Sequence, residues 1–487
     1  MRVNTIENYI ILCYNLPKIT NNYFKNMFLT EEKNMPIERE EFLKQFSQQA
    51  LDERISLFMG AGGSCDAGYP TWSNLFSPFA DALGVSIDDS TDFYKLAQYY
   101  SNNYGSAELR KRINDRINKN DFKSPLMNEL INVGFSNIWT TNFDNALELN
   151  YQQQGVLINK VFRDSDFSNI DFNKRINIFK MNGDISNIDD IIATQGDYEK
   201  YIDTHRIMLM FFKRELISST FLFIGYSFTD HLVLDCLSEI IRYLGESANY
   251  HYTIMKNHPE NPYFKHLVDD LEKRYKIRVL LVDDYKDIPK ILMELNQRIQ
   301  KKRVFISGAF SYQATELDEY SHTLSRALSF SLLENDYRIV NGIGRRFGTH
   351  LIGYANEYLA KQGVNSIEKY LIVKPFVGNQ KKSPQEKKKL REKVIQQCGS
   401  AIFVFGEQDH NATNGKSGVL EEFEIARKQH KAIIPIAYPG MVSQEIWQLV
   451  KDELTKYPYL EKAIDKLKSE EPIENVVQNI IAILNSL

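Results

Sequence analysis

The chain has 487 residues, of which 43% are hydrophobic and 25% are charged, and its formal net charge is -4. This composition is typical of a soluble globular protein, and the length predicts roughly two to four domains. The slightly acidic balance and the absence of a long basic stripe argue against nucleic-acid binding. No apolar run approaches the roughly 18–20 residues needed to cross a bilayer, which argues against a membrane protein.

The cysteines and the N-terminal segment help to predict the cellular compartment of the protein. The four cysteines are far apart in sequence: Cys13, Cys65, Cys236 and Cys398. Without closely spaced pairs, a disulfide framework or a zinc site is disfavoured, so we expect no metal and a reducing cytoplasm. A secretory signal is disfavoured, because no small-residue cleavage site follows the short apolar patch at residues 9–14. Residues 1–34 are interpreted as an N-terminal extension of uncertain start, because Met27 and Met35 are alternative first residues.

Short apolar runs alternate with helical stretches over the first 300 residues. Buried strands are predicted at residues 55–59, 136–140, 176–181, 221–224, 251–255 and 277–282. Helices are predicted at residues 38–53, 198–217 and 230–244. Strands alternating with helices are typical of a parallel sheet covered on both faces. We therefore predict a doubly wound, Rossmann-like domain over residues 35–298.

The same alternation restarts after a predicted helix at residues 289–300. Strands are predicted at residues 304–306, 337–340, 370–373, 401–405 and 432–436, and helices at 317–335, 349–362, 385–397 and 419–429. This pattern predicts a second Rossmann-like domain over residues 299–487. The predicted fold class is thus α/β, with two doubly wound domains.

The first predicted strand leads directly into the glycine-rich segment Gly60-Ala61-Gly62-Gly63-Ser64. Glycines allow tight turns and let a pyrophosphate approach main-chain N–H groups, although many such loops are ordinary turns. Three further segments follow predicted strands, at residues 140–144 (TTNFD), 181–184 (MNGD) and 225–230 (GYSFTD). Doubly wound sheets bind ligands at the carboxyl ends of their strands, so these segments strengthen the prediction of a nucleotide site.

Together these segments resemble the sirtuin family over roughly residues 40–290. The shared motifs are the GAG-x-S loop, Gly68-Tyr69-Pro70, the TxNxD segment, Lys180-x-x-Gly183 and the GYS segment. The chain is most similar to the divergent sirtuin-like domains of bacterial antiphage systems, which lack the zinc ribbon. The resemblance implies that NAD is bound as substrate without a metal. It also implies an NAD site lined by Gly60, Ala61, Gly62, Ser64, Thr141, Asp144, Gly225, Ser227 and Asp230.

Two asparagines match the catalytic positions of that family. The resemblance implies that Asn142 holds the nicotinamide-side ribose, because an amide can both donate to and accept from paired hydroxyls. Asn182 stands where the family has a histidine that acts as a base. An amide cannot take up a proton near neutral pH. Either Asn182 only positions the ribose and water attack is assisted otherwise, or catalysis in this chain is impaired.

Structural interpretations of several of these residues stay open. Asp144 and Asp230 each precede a predicted helix, where a carboxylate can cap backbone N–H groups. His205 and His231 are interpreted as structural or surface histidines rather than catalytic ones.

Four strand ends or loops in the second half also carry small or charged residues. They are Ser307-Gly308, Gly342 to Arg345 (with Gly344), Gly406, and Lys416-Ser417-Gly418. Glycine N–H groups and the positive charges of Arg345 and Lys416 suit a phosphorylated nucleotide, although plain turns and caps are the alternative.

This half resembles the SLOG family, and the fusion to a sirtuin-like domain resembles the effectors of Thoeris antiphage systems. The resemblance implies that the second domain binds a cyclic ADP-ribose isomer made by a TIR-domain partner, that binding activates NAD cleavage, and that the protein is a homotetramer. By motif position, Arg391 contacts the ligand phosphates and Glu422 the ribose or base. The alternatives are an exposed helix arginine and a first-turn carboxylate favoured by the helix dipole.

The sequence thus predicts a signal-gated enzyme that hydrolyses NAD. A nucleotide-binding sensor without turnover is the alternative that Asn182 favours. An NAD-dependent protein deacylase is a weaker alternative, because Asn182 and the lack of zinc-binding cysteines both oppose it.

Overall fold

The computed structural model describes residues 36–88, 91–119, 123–171, 176–375, 383–407 and 417–487. The interpreted extension at residues 1–34 and the predicted ligand contact Lys416 lie outside the described residues. The chain divides into two compact units, Met35–Ile299 and Gln300–Leu487, which we call the N-terminal and C-terminal domains.

The described part of the N-terminal domain contains a parallel sheet of seven strands. Its strands are β1 (Ile55–Met59), β2 (Asn137–Thr140), β3 (Ile158–Val161), β4 (Ile176–Lys180), β5 (Thr220–Ile224), β6 (His251–Lys256) and β7 (Ile277–Val282). Their order across the sheet is β3-β4-β2-β1-β5-β6-β7. Strands β2 and β5 flank β1 on opposite sides, so the carboxyl ends of β1 and β5 meet at the point where the strand order reverses. This is where doubly wound sheets open a ligand-binding crevice.

Helices cover both faces of this sheet. They are α1 (Arg39–Leu51), α2 (Trp72–Leu83), α3 (Phe93–Tyr104), α4 (Ser106–Ile117), α5 (Pro125–Val133), α6 (Ala146–Gln153), α7 (Gln195–Glu199), α8 (Tyr201–Thr204), α9 (Arg206–Ser218), α10 (His231–Leu244), α11 (Phe264–Tyr275) and α12 (Ile288–Lys301). Every residue of β1 is buried. Leu57 belongs to one hydrophobic cluster and Phe58 to another. Burial on both faces explains why this strand is a continuous apolar run rather than an alternating one.

The C-terminal domain repeats this architecture at a smaller size. Its described strands are β8 (Arg303–Ala309), β9 (Arg338–Asn341), β10 (Leu371–Val373), β11 (Ser400–Phe405) and β12 (Ala432–Ile436). Its helices are α13 (Asp318–Glu334), α14 (Phe347–Lys361), α15 (Pro384–Gln396), α16 (Gly418–Lys428), α17 (Val442–Asp452) and α18 (Ile473–Ser486). The parallel order β10-β9-β8-β11-β12 places its reversal point between β8 and β11.

The predicted fold class is confirmed, and three local predictions differ from the structure. The helix predicted at residues 198–217 is divided into α7, α8 and α9: Lys200 lies between α7 and α8, and His205, with a non-helical φ of -129°, lies between α8 and α9. The short strand β3 was not predicted, since it lies at the sheet edge and only two of its four residues are buried. Helices α17 and α18 were also not predicted. Within the ranges given above, no helix is both long and apolar enough to cross a membrane.

Candidate functional site

The glycine loop lies against the loop that follows β5. The N–H groups of Gly60 and Gly62 donate to the carbonyls of Ile224 and Gly225, each at 2.9 Å. A Cβ atom at Gly60 would lie 2.4 Å from the Gly225 oxygen, and one at Gly225 would lie 2.0 Å from the nitrogen of Gly63. Gly225 also has φ +64°, a conformation that favours glycine. The glycines are therefore required by the close approach of two loops at the reversal point.

Asn142 adjoins this glycine loop. The hydroxyl of Thr140 donates to the carbonyl of Met59 at 2.6 Å and accepts from the N–H of Asn142 at 3.0 Å, which ties the end of β2 to the end of β1. The side-chain Nδ2 of Asn142 donates to Ser64 Oγ at 3.1 Å. Asn142 is only 5% exposed, and its Oδ1 is buried without a hydrogen-bond partner among the described residues. One acceptor thus stays open beside the loop.

Asn182 presents a second open acceptor after the neighbouring strand β4. It is 1% exposed, and its Nδ2 donates to Tyr94 Oη at 2.9 Å. Its Oδ1 is buried and, within the described chain, has no hydrogen-bond partner. Because Thr140 pairs with Lys180 in the sheet, Asn142 and Asn182 each stand two residues beyond paired positions. The structure therefore places the two predicted catalytic positions at adjacent strand ends.

Tyr94, on α3, was not predicted as a site residue, because it is one tyrosine among 27 and follows no recognisable motif. Its ring lies 4.9 Å from that of Tyr198 and 5.4 Å from that of Trp72, measured between centroids. Burial and the nearby charge of Asp230 raise the pKa of Tyr94 well above 10. The hydroxyl therefore stays protonated at rest.

Asp230 begins helix α10 and faces these tyrosines. Its Oδ1 accepts from the N–H of Leu232 at 2.9 Å, which confirms its interpretation as a helix cap. The hydroxyl of Tyr198 donates to the same oxygen at 3.4 Å. Burial raises the pKa of Asp230, although hydrogen bonds from Leu232, Tyr198 and Tyr94 oppose this rise. Asp230 therefore caps α10 and also contacts a tyrosine of the site.

Lys180 is the centre of a buried ion cluster beneath the site. Its ammonium donates to the carbonyls of Phe143, at 3.1 Å, and of Asp144. It also forms ion pairs with Glu148 at 3.0 Å and Asp184 at 2.6 Å. Burial by itself lowers the pKa of Lys180, but the two carboxylates outweigh it and raise the pKa. The sequence motif includes Lys180, but only the structure shows that it holds the segment carrying Asn142.

The other predicted NAD contacts differ in exposure. Asp144 is buried, and its Oδ1 accepts from the N–H of Ala146 at 3.0 Å, although the N-cap position of α6 is Asn145. Thr141 is buried, Ala61 is half-buried and Gly62 is exposed. Ser227 is also exposed, and its hydroxyl lies 2.8 Å from that of Thr229.

The two histidines have different surroundings. His205 is buried and stacked on Tyr201 at 4.5 Å, as a structural role predicts, whereas His231 is exposed. Neither side chain has a hydrogen bond to Asn142 or Asn182 in the described structure.

An open depression of about 630 Å³ lies beside the glycine loop. Its lining residues are Cys65, Gly68, Tyr69, Pro70, Thr71, Asn74, Asp115, Arg116 and Lys119. Neither Asn142 nor Asn182 lines this depression. It borders the glycine loop on the side of α4.

In the C-terminal domain, three elements bring predicted ligand contacts together. The hydroxyl of Ser307, in β8, donates to Glu422 Oε2 at 2.6 Å. Arg391 Nε, on α15, donates to Glu422 Oε1 at 3.1 Å, and its Nη1 pairs with Glu421. Burial raises the pKa of Glu422, while Arg391 opposes the rise. Since the Arg391 side chain is only 17% exposed, its interpretation as an exposed helix arginine is wrong.

The glycines around this cluster again permit close contacts. A Cβ atom at Gly344 would lie 2.0 Å from the carbonyl oxygen of Gly308, and one at Gly418 would lie 3.2 Å from Arg391 Nη2. Gly406 has φ +92°, and its N–H donates to Ala309 at 3.0 Å.

The remaining predicted ligand contacts of this domain differ in exposure. Gly342 and Ser417 are buried, whereas Arg345 is exposed. The partly buried Arg346, which was not predicted, pairs instead with Asp318. Across the described ranges of both domains, no group of three His, Cys, Asp or Glu residues could hold a metal ion.

Comparison with known families agrees with this two-domain architecture. Residues 136–280 match the SIR2-like domain, and residues 287–487 match the Sir2- and TIR-associating SLOG family. The protein is therefore of the class that joins a SIR2-like domain to a SLOG domain, both Rossmann-like.

Similar proteins extend over nearly the whole chain. "NAD(+) hydrolase ThsA" of Cytobacillus dafuensis is 30% identical over 88% of this chain and 91% of its own length. The proteins of the same name from Bacillus cereus (strain MSX-D12) and Enterococcus faecium are each 28% identical, over 92% and 93% of this chain and 96% and 99% of their own lengths. The chain belongs to the ThsA family.

Proposed function

We propose that the N-terminal domain hydrolyses NAD to nicotinamide and ADP-ribose. The observation that carries this proposal concerns the side-chain oxygens of Asn142 and Asn182, at adjacent strand ends: both are buried and have no hydrogen-bond partner among the described residues. A buried acceptor without a donor is costly, so a site that leaves two of them is suited to a ligand with paired hydroxyls. The nicotinamide-side ribose has such hydroxyls. The relatives named as NAD(+) hydrolases support the same substrate.

Loss of nicotinamide proceeds through an oxocarbenium-like state, for which positioning and electrostatics supply most of the catalysis. In this proposal Asn142 and Asn182 accept hydrogen bonds from the ribose and hold its reactive carbon in place. Asn182 cannot act as a base, so we expect slower turnover than in a protein with histidine at this position.

The C-terminal domain is proposed to gate this reaction by binding a cyclic ADP-ribose isomer, with Arg391 contacting the phosphates. The matched family description, which names both SLOG and TIR association, supports a TIR-domain enzyme as the source of the signal. Gating requires that the ligand prefer one state of the protein over the other. We further propose that the protein acts as a homotetramer in the cytoplasm and that NAD loss halts phage growth in the infected cell.

The direct test is NAD consumption and nicotinamide release by the purified full-length protein, with and without cyclic ADP-ribose isomers. We expect turnover that rises with one isomer and is lost in Asn142→Ala. The matched control is Asn150→Ala, which truncates another buried asparagine, on α6. No nicotinamide release under any of these conditions would exclude the hydrolase.

A second candidate, favoured by Asn182, is a sensor that binds NAD without cleaving it. Calorimetric binding of NAD by a protein that never releases nicotinamide would support this candidate. A large gain of hydrolysis in Asn182→His would instead show that the site is an enzyme whose rate is limited by this residue.

A further inference from the structure

The proposed hydrolysis releases a proton from the attacking water, and Asn182 cannot accept it. The group that does so must lie close to Asn182, because the ribose is held there. The described neighbours of the Asn182 side chain include one hydroxyl, that of Tyr94, at 2.9 Å from Nδ2.

Tyr94 has hydrogen-bonding capacity for such a transfer. Its oxygen accepts from Asn182, which leaves a second lone pair for water and directs its own proton elsewhere. Asp230 is the carboxylate next to this tyrosine: Tyr198, whose ring centroid lies 4.9 Å from that of Tyr94, donates to Asp230 Oδ1 at 3.4 Å. Asn182, Tyr94 and Asp230 thus form a path from the end of β4 to the first turn of α10.

Asp230 is a suitable end of this path. The titratable groups that face it in the described structure include Tyr94, Tyr198, Tyr201, Tyr226, His231 and Cys236. Burial raises its pKa above that of an ordinary aspartate, which makes it a stronger base. A neighbouring cation would lower the pKa of the carboxylate and so make it a weaker base. Among those groups, the only one that acts in this way is the exposed His231.

We propose that Tyr94 and Asp230 together accept the proton of the attacking water, in place of the histidine that this chain lacks. The bond between the ribose carbon and the nicotinamide nitrogen breaks, and its electron pair leaves with nicotinamide. The water oxygen forms the new bond to that carbon. Its proton passes to Tyr94 Oη as the Tyr94 proton passes to Asp230, which later releases it to solvent. This inference rests on the proposed NAD hydrolysis.

Tyr94 acts as a relay in this scheme. Since its pKa lies well above 10, a free phenolate is not stable there, and the two proton movements are coupled. Asp230 carries the charge change, and therefore sets the pH dependence of the rate.

The experiment is a pH–rate profile of NAD hydrolysis for the full chain, Tyr94→Phe and Asp230→Asn. Asparagine is as good a helix cap as aspartate, so α10 stays capped in the second variant. We expect kcat to fall about 100-fold in each variant, the scale of a lost general base. In the unmodified protein the rate should fall at acid pH, and in Asp230→Asn this acid limb should vanish. The control is Tyr252→Phe, which removes a buried hydroxyl bonded to Gln45 and should leave the profile unchanged.

A second background separates proton transfer from simple positioning. In Asn182→His the imidazole supplies a base, so Tyr94→Phe should cost less than about tenfold there. If Asp230→Asn keeps kcat within about threefold, or keeps the acid limb, the inference is overturned while NAD hydrolysis stands. If the unmodified protein releases no nicotinamide at all, both the inference and the proposed hydrolysis fail.

Discussion

Replacing Lys180 with methionine should destabilise the N-terminal domain strongly. The Lys180 side chain is 1% exposed, and its removal leaves the carboxylates of Glu148 and Asp184, 7% and 0% exposed, without their shared cation. Removing one partner of a buried ion pair costs about 3–5 kcal/mol. Asp184 keeps its contact with Lys160 at 2.7 Å, so we expect the lower end, about 3 kcal/mol. That is a large share of a typical stability of about 5–15 kcal/mol.

Urea unfolding followed by tryptophan fluorescence measures this loss. The full chain would carry Trp447→Phe, so that Trp72 and Trp139 report on the N-terminal domain alone. Trp139 is a suitable probe because it is buried and stacked on Phe179 at 4.2 Å. The fluorescence transition of the Lys180→Met protein is compared with that of the same chain carrying lysine.

The control variant replaces the two carboxylates as well as the lysine. Adding Glu148→Gln and Asp184→Asn to Lys180→Met should recover a large part of the loss, because no unpaired charge then stays buried. A loss below about 1 kcal/mol in the single variant, or no recovery in the triple variant, would refute the cluster's role.

Three further predictions concern other sites. His251 is buried and neutral, with its pKa lowered to about 3 from 6.5, so the unfolded chain binds the proton first. The free energy of unfolding that is lost by keeping His251 neutral is zero above pH 6.5 and grows as the pH falls towards 3. In His251→Asn, thermal unfolding should therefore show a smaller loss of stability at acid pH. Gly225→Ala should fold poorly, since its Cβ would lie 2.0 Å from Gly63 N, whereas Gly353→Ala meets nothing within 4 Å and should be tolerated; circular dichroism and expression yield check both. Glu421→Gln should tighten binding of cyclic ADP-ribose isomers up to about fivefold by calorimetry, because the arginine it faces is then freer to bind phosphate; weaker binding would contradict this.

Continuous apolar runs made the central strands of both sheets predictable. Strands β1 and β5 are buried along their whole length, so their sequences are apolar at every position or nearly so. Strand β3 gave no such signal, because an edge strand is only partly buried. The break between α7, α8 and α9 depends on local backbone geometry that no periodicity in the sequence indicates.

The candidate site was predictable only where residues follow strands. Asn142 and Asn182 could be placed at one sheet edge because parallel strands end together there. Tyr94 could not, since it reaches Asn182 from a helix 88 residues earlier in the chain. Likewise, the contact between Arg391 and Glu422 joins two helices, which no spacing rule connects.

The sequence by itself determined the fold class and the motif residues, because strand burial and glycine turns are local demands on residue type. Only the tertiary structure decided which side chains meet: the Lys180 cluster, the Asn182–Tyr94 contact and the Ser307–Glu422–Arg391 contact. Each of these depends on segments distant in sequence, and their mutual distance is set by how helices pack on the sheet rather than by any local pattern.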